Sequence, residues 1–363
     1  MIKRREGMAS RGQAASAPPA STVCVTGATG YIGSWLVRSL LHRGYIVHAT
    51  ARDTGKASQI LSRFGRSDRL KIFRADLREE GSFDEAVEGC AGVFHVAAFM
   101  ELGTSVAENI EDHVRSKILE PAVRGTINLL RSCSRSSTVK RVIFTSSVST
   151  ITAKNDDGAW APMVDESSFV SVDRVWKEKP NGWVYVLMKR LTEEKAFEFA
   201  KEKGMDLVSI ISPTVAGPFL TPSVPISNQV ILSPLTGDPE LYPILVAVQS
   251  RLGSIALAHI EDICDAHIFL LETAAARGRY ICAAGSCTIP QLSYFFSLQH
   301  PSFASDQIQM SEDIEGFTCS ACSVICSRKI TDLGFEFKYS VKDILKETLS
   351  SCAESRFLSD FKT

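Results

Sequence analysis

Tyr185-x-x-x-Lys189, with Ser146 and Ser147 upstream, is a set of side chains that could move a proton onto a carbonyl. The four-residue spacing puts phenol and ammonium on the same side of one helical turn, where the positive charge favours a phenolate. A tyrosine that gives and takes a proton near neutral pH is what carbonyl reduction requires. On its own the pattern also describes an exposed aromatic beside a solvated lysine. The run Arg141-Val142-Ile143-Phe144-Thr145-Ser146-Ser147 changes the balance, because it reads as a buried strand that ends in paired hydroxyls. In the chemistry this implies, Ser147 hydrogen-bonds the reacting oxygen and Tyr185 supplies its proton. Lys189 holds the nicotinamide ribose, and the hydride comes from a bound cofactor.

The cofactor has its own signature. Thr26-Gly27-Ala28-Thr29-Gly30-Tyr31-Ile32-Gly33 sits between an apolar run (Val23, Val25) and an amphipathic stretch (Ile32, Leu36, Val37, Leu40, Leu41). This is the strand, turn and helix context of a dinucleotide fingerprint. Gly27, Gly30 and Gly33 permit a tight turn, close approach of backbone N–H groups of Thr29, Tyr31 and Ile32 to a pyrophosphate, and close helix packing. Arg52 lies 19 residues after Gly33, past the second apolar run. An arginine there accommodates a 2′-phosphate, which argues for NADPH; the competing reading makes Asp53 a ribose ligand for NADH. Asp76 could hydrogen-bond the adenine amine or cap a helix. Leu77, Val96, Ala97 and Pro213, all near strand ends, complete the expected cofactor wall.

These residues need a scaffold that gathers them, and the chain alternates short β-branched runs with longer helical patterns. The runs are Val23–Thr26, Ile46–Thr50, Leu70–Arg74, Val93–Val96, Val142–Thr145 and Leu207–Ile211. That alternation predicts an α/β fold with a doubly wound parallel sheet, whose strand carboxyl ends form one ligand-binding edge. Residues 21–213 are expected to form the Rossmann domain with the catalytic residues, and 214–363 mainly a smaller substrate-binding lobe. Tyr280–Ala283 and a helix around Asp262–Glu272 are expected to return to the sheet.

Composition narrows the partners. Of 363 residues, 40 Lys plus Arg face 41 Asp plus Glu, so the formal charge is −1 and no global field favours nucleic acid or an anionic membrane. No apolar stretch is long enough to span a bilayer, and the N-terminus lacks a secretory apolar core. Residues 1–20 are basic and nearly acid-free, as in a disordered tail; a transit peptide is the alternative, and a cytoplasmic location is the expectation. Ten scattered cysteines suit a reducing compartment. Cys319-x-x-Cys322-x-x-x-Cys326 lacks a fourth ligand cluster, so no metal is expected. His259 and His95 read as structural residues, and a monomer or weak dimer is the expected assembly.

The quoted motifs resemble the extended short-chain dehydrogenase/reductases of plants, in particular the dihydroflavonol 4-reductase and anthocyanidin reductase group, from about Val23 to Phe337. Val23–Arg43, Val93–Ala97 and Pro121–Thr126 look like dihydroflavonol reductases. Gly253–Cys264 and Gly278–Cys282 look more like anthocyanidin reductases. The resemblance implies an NADPH-dependent reductase of a planar phenolic small molecule, with a triad of Ser147, Tyr185 and Lys189. Thr152 stands where dihydroflavonol reductases carry a substrate-reading asparagine, as in anthocyanidin reductases, and is therefore the expected substrate contact. Met188 and Arg190 replace the usual serine and threonine around the lysine. Asn181–Lys189 departs from the Asn-Trp-Tyr-Cys-Tyr-Gly-Lys run that marks cinnamoyl-CoA reductases. The expected reaction is anthocyanidin to flavan-3-ol. A dihydroflavonol or steroid reductase, and a protein that binds the cofactor without turnover, stay open.

Overall fold

The structure, a computed structural model, describes residues 21–64, 68–99, 110–155, 157–299 and 323–358. Its strands are β1 Thr22–Thr26, β2 Ile46–Ala51, β3 Leu70–Arg74, β4 Gly92–His95, β5 Arg141–Ser147 and β6 Met163–Val164. They continue with β7 Leu207–Ser212, β8 Thr214–Ala216, β9 Ile255–His259, β10 Gly278–Ile281, β11 Gly285–Cys287 and β12 Val324–Ile325. Seven of them form one sheet in the order β10-β7-β5-β4-β1-β2-β3, with every pair parallel. The order reverses between β1 and β4, the crevice where doubly wound sheets bind ligands.

Period-two alternation separates the two faces of β1. Val23 and Val25 pack with Leu36 and Leu40 of the helix Tyr31–His42 and with Ile263 and Ile268 of the helix Ile260–Glu272. Cys24 points the other way, into a cluster with Leu129 and Leu130 of the helix Glu120–Arg135 and Ala196 of the helix Trp183–Lys203. Helices therefore cover both faces, and all seven residues of β5 are buried. At the start of β5, Arg141 pairs with Asp206 at 2.7 Å and donates to the carbonyls of Leu270 and Thr273, tying three elements together.

A second core lies in the C-terminal half. The helices Ile226–Thr236, Ile289–Gln299 and Val341–Glu354 pack Ile231, Phe296 and Leu345 around β9 and β11. There β11, β9 and β8 form a three-stranded sheet, antiparallel between β11 and β9 and parallel between β9 and β8. The sequence pattern does not reveal this sheet, because two of its strands are three residues long. From this half, β10 lies at the edge of the main sheet and the helix Ile260–Glu272 packs on it.

Strand β4 ends one residue earlier than expected. Val96 already lies beyond it, because the N–H groups of Val96 and Ala97 turn onto the Thr26 hydroxyl at 3.1 and 3.0 Å. His259 ends β9 and caps the following helix by accepting from Glu261 N, so it joins strand to helix rather than loop to strand. Cys319, Cys322 and residues 1–20 lie outside the described residues. Among the described residues no cluster of His, Cys, Asp or Glu is arranged to hold a metal ion, and no helix is long and apolar enough to cross a membrane.

Candidate active site

One cleft of about 820 Å³ runs along the carboxyl edge of the sheet. Its first end is the glycine loop. Gly27 has φ +66°, and a Cβ on it would stand 2.9 Å from Ala97 Cα; a Cβ on Gly33 would stand 2.1 Å from the Gly27 carbonyl oxygen. Both glycines are required by close backbone approach. Gly30 caps the helix Tyr31–His42 in extended conformation. The first-turn N–H groups of Tyr31 and Ile32 consequently face the cleft with no partner inside their helix. The Tyr31 phenol is spent elsewhere, donating to Gly217 O at 3.1 Å, and burial holds its pKa well above the ordinary value.

The loop is braced from behind by a short hydrogen-bond chain. The Thr26 hydroxyl accepts from both Val96 and Ala97, so its own proton goes to His95 Nδ1 at 3.1 Å, and His95 Nε2 then donates to the Thr126 hydroxyl at 3.3 Å. His95 is neutral, its pKa pulled down to about 3 by burial and then by Lys189. The partners of this histidine are thus two threonine hydroxyls.

Beyond the loop, the cleft passes Arg52, Lys56, Asp76, Leu77 and Arg78. Asp53 is taken up as a helix cap, its carboxylate accepting from Lys56 N at 2.9 Å, which leaves Arg52 as the residue facing the cleft. Asp76 starts a turn and caps no helix. Its carboxylate accepts from the Arg78 backbone and pairs with the Arg78 guanidinium at 2.8 Å, a hydrogen bond that holds its pKa below the usual range. The sequence reading missed Lys56 and Arg78. The signal for Lys56 was its place one helical turn after Arg52.

At the other end β5, β7 and the helix Trp183–Lys203 converge. That helix starts after Gly182 at φ +77° and ends at Gly204 at φ +63°, so glycines set both limits. Tyr185, Lys189 and Ser147 all line the cleft, with Pro213 opposite. Lys189 is buried, and its Nζ donates to Thr145 O at 2.9 Å. Thr145 in turn donates its hydroxyl to His267 Nε2 at 2.8 Å, because His267 Nδ1 donates to Ile263 O and burial holds the ring neutral, with a pKa near 4. Ser147 Oγ accepts from Ser149 N at 3.1 Å, which fixes its rotamer and leaves its proton available. Ser146 Oγ is buried in the same wall without a protein partner.

Every residue expected to hold cofactor lines this cleft: Gly27, Thr29, Gly30, Tyr31, Ile32, Gly33, Arg52, Asp76, Leu77, Val96, Ala97, Tyr185, Lys189 and Pro213. Thr152 does not. Its hydroxyl faces Arg251 O at 3.5 Å and accepts from Lys154 N at 3.2 Å, so local backbone groups occupy it. The segment Thr221–Ser227, with Gln229, forms a wall that the sequence reading left unassigned.

Residues 23–283 match the model of the NAD dependent epimerase/dehydratase family. The chain belongs to that family. It is 42% identical over 332 residues to a Ginkgo biloba protein named "Putative anthocyanidin reductase", covering 91% of this chain and 93% of that one. It is 39% identical to a dihydroflavonol 4-reductase of Arabidopsis thaliana, covering 93% and 84%. Among solved structures, vestitone reductase from alfalfa superposes with a TM-score of 0.74 at 32% identity, covering 93% of this chain and 99% of that one. The chain is thus an NAD(P)-dependent oxidoreductase.

Proposed function

We propose that the chain is an NADPH-dependent reductase of a flavonoid-type substrate, with an anthocyanidin reduced to a flavan-3-ol as the leading reaction. The observation that carries this is the gathering of Ser147, Tyr185 and Lys189 at one end of a single cleft whose other end is the glycine loop. Tyr31 and Ile32 N–H groups would bind the pyrophosphate, and Arg52 with Lys56 would meet a 2′-phosphate. The bound nicotinamide supplies the hydride. Lys189, pinned by the Thr145 carbonyl, orients the ribose and keeps a positive charge beside Tyr185. Ser147, pinned by Ser149 N, points its hydroxyl at the reacting oxygen, and Tyr185 delivers the proton. The anthocyanidin and dihydroflavonol reductases at 42% and 39% identity support the substrate class. One solved structural neighbour, a yeast reductase, is complexed with NADPH.

The test is NADPH consumption by the purified protein with cyanidin, a dihydroflavonol and a steroid ketone in parallel, with products resolved by chiral chromatography. Cyanidin turned over to a flavan-3-ol supports the leading reaction; turnover of another substrate alone replaces it. Tyr185→Phe should lower turnover by about 10²–10⁴-fold with NADPH affinity unchanged, and retained turnover removes the proton-donor role.

A further inference from the structure

Asp76 and Arg78 both line the end of the cleft away from Tyr185, and they are built as one unit. Asp76 opens the turn after β3, and its backbone is held on both sides. Its N–H donates to Ser82 Oγ at 3.2 Å, and its carbonyl accepts from Ser82 Oγ at 2.8 Å and from Glu79 N at 3.0 Å. The Asp76 side chain is only 9% exposed, whereas that of Arg78 is 53% exposed. Four hydrogen bonds reach the carboxylate from Arg78. Oδ1 accepts from the backbone N–H at 2.9 Å and from Nε at 3.2 Å; Oδ2 accepts from Nε at 3.3 Å and from Nη2 at 2.8 Å. That occupies the lone-pair positions a carboxylate has to offer.

This saturation decides which group a purine base can use. An adenine amine is a neutral donor, and to reach Asp76 it has to displace a charged one whose bonds are about twice as strong. The carboxylate is shielded from water, so losing the guanidinium also carries the cost of an unsatisfied buried acceptor. No other carboxylate among the described residues lines the cleft. What this end presents to a base is therefore the guanidinium, which donates and cannot accept. A 6-oxo purine carries two acceptors, O6 and N7, along one edge, and an arginine fork matches both. Adenine carries one donor and one acceptor there, an edge that suits a side chain able to accept.

We infer that Arg78, and not Asp76, is the specificity-determining residue for the base of the dinucleotide, so that the protein takes a 6-oxo purine dinucleotide phosphate as well as the 6-amino one. The inference rests on the cofactor placement proposed above, with the pyrophosphate at the glycine loop and the 2′-phosphate at Arg52 and Lys56. Asp76 then acts through Arg78: it locks the plane of the guanidinium and leaves the base to it.

The test is calorimetric titration of NADP⁺ and of its hypoxanthine counterpart, in which an oxo group replaces the adenine amine, into the full-length protein. NADPH consumption with the carbonyl panel is measured alongside. Wild type should bind the hypoxanthine form within about threefold of NADP⁺ or more tightly. Arg78→Ala should release Asp76 to accept from the amine and move the affinity ratio about tenfold toward NADP⁺, a step of about 1.4 kcal/mol. Adding Asp76→Ala should abolish that new preference; if the double variant does not fold, wild type and Arg78→Ala still decide. A larger preference for NADP⁺ in wild type overturns the inference. So does Arg78→Ala weakening both dinucleotides by one factor, which would make Arg78 a phosphate contact. Binding of neither dinucleotide removes the cofactor placement and the inference together. The expected ratios in a protein that consumes no NADPH would keep Arg78 and sink the reductase reading. Turnover with adenine preferred by wild type would do the reverse.

Discussion

Arg279 and Arg251 both touch the segment that follows β5, the first through its side chain and the second through its carbonyl, yet the surroundings of their side chains are opposite. Arg279 lies 3.0 Å from Glu193, donates to the Thr150 hydroxyl and to the carbonyl of Glu166, and stacks on Phe169 with its guanidinium carbon 4.0 Å from the ring centroid. Glu193 in turn accepts from Ser209 on β7 at 2.6 Å. This set binds the helix Trp183–Lys203 to β7, β10 and the turn after β5, so it is architecture. Among the described residues the side chain of Arg251 has no such partners, and its Nε is buried without one. The lesson is that shielding of a charge does not reveal its purpose until its partners are counted: Arg279 is spent on the fold, and the Nε of Arg251 is left without a partner.

The largest way to break the comparison is Glu193→Ala. If the pair is structural, removing one partner strands a buried charge and should cost about 3–5 kcal/mol in urea unfolding. Glu193→Ala with Arg279→Met should recover much of that, and a loss below about 1 kcal/mol for the single substitution would dissolve the distinction.

The two neutral histidines extend the engaged side of the comparison. Both are held below the ordinary imidazole value, His95 near 3 and His267 near 4. Between about pH 6.5 and pH 4 the unfolded chain therefore binds protons that the folded one refuses, so stability should fall as pH drops through that window. The slope should reach about 1.4 kcal/mol per pH unit for each histidine, and His95→Asn should flatten its share. Urea midpoints from pH 7 to pH 5 give the answer, and parallel curves for wild type and variant would remove His95 from the account.

Arg52→Ala probes a cation at the far end of the cleft. The Michaelis constant for NADPH should rise about tenfold with NADH spared, equivalent to one charge-assisted contact of about 1.4 kcal/mol. An unchanged NADPH to NADH ratio would withdraw the 2′-phosphate role. The smallest effect sharpens the opening contrast. Arg251→Met should leave stability unchanged or raise it by about 1 kcal/mol, since it removes a half-buried guanidinium whose Nε has no partner, and a loss like that of Glu193→Ala would make Arg251 structural after all.

What was legible in the sequence was whatever depends on local spacing. The glycine loop is a contiguous string, Tyr185 and Lys189 are one helical turn apart, and Arg52 follows its strand directly, so each announced itself. The sheet was legible because parallel strands buried on both faces are continuous apolar runs. The small sheet of β8, β9 and β11 was not, because three-residue strands carry too little periodicity. Thr152 was singled out by resemblance alone, and only the tertiary approach of the helix Tyr242–Leu252 shows its hydroxyl occupied. The unpartnered Nε of Arg251 gave no signal at all, because a sequence does not display which partners a side chain lacks among the described residues.

The contact between Lys189 and the Thr145 carbonyl has one more consequence, for proton supply. A carbonyl oxygen accepts but has no hydrogen to hand on, and behind it the Thr145 hydroxyl already points at His267, whose other nitrogen ends on Ile263 O. The relay behind the lysine is a dead end. On the role proposed for Tyr185, each proton it gives up is replaced from water reaching the cleft mouth, so departure of the product and recharging of the acid share one doorway.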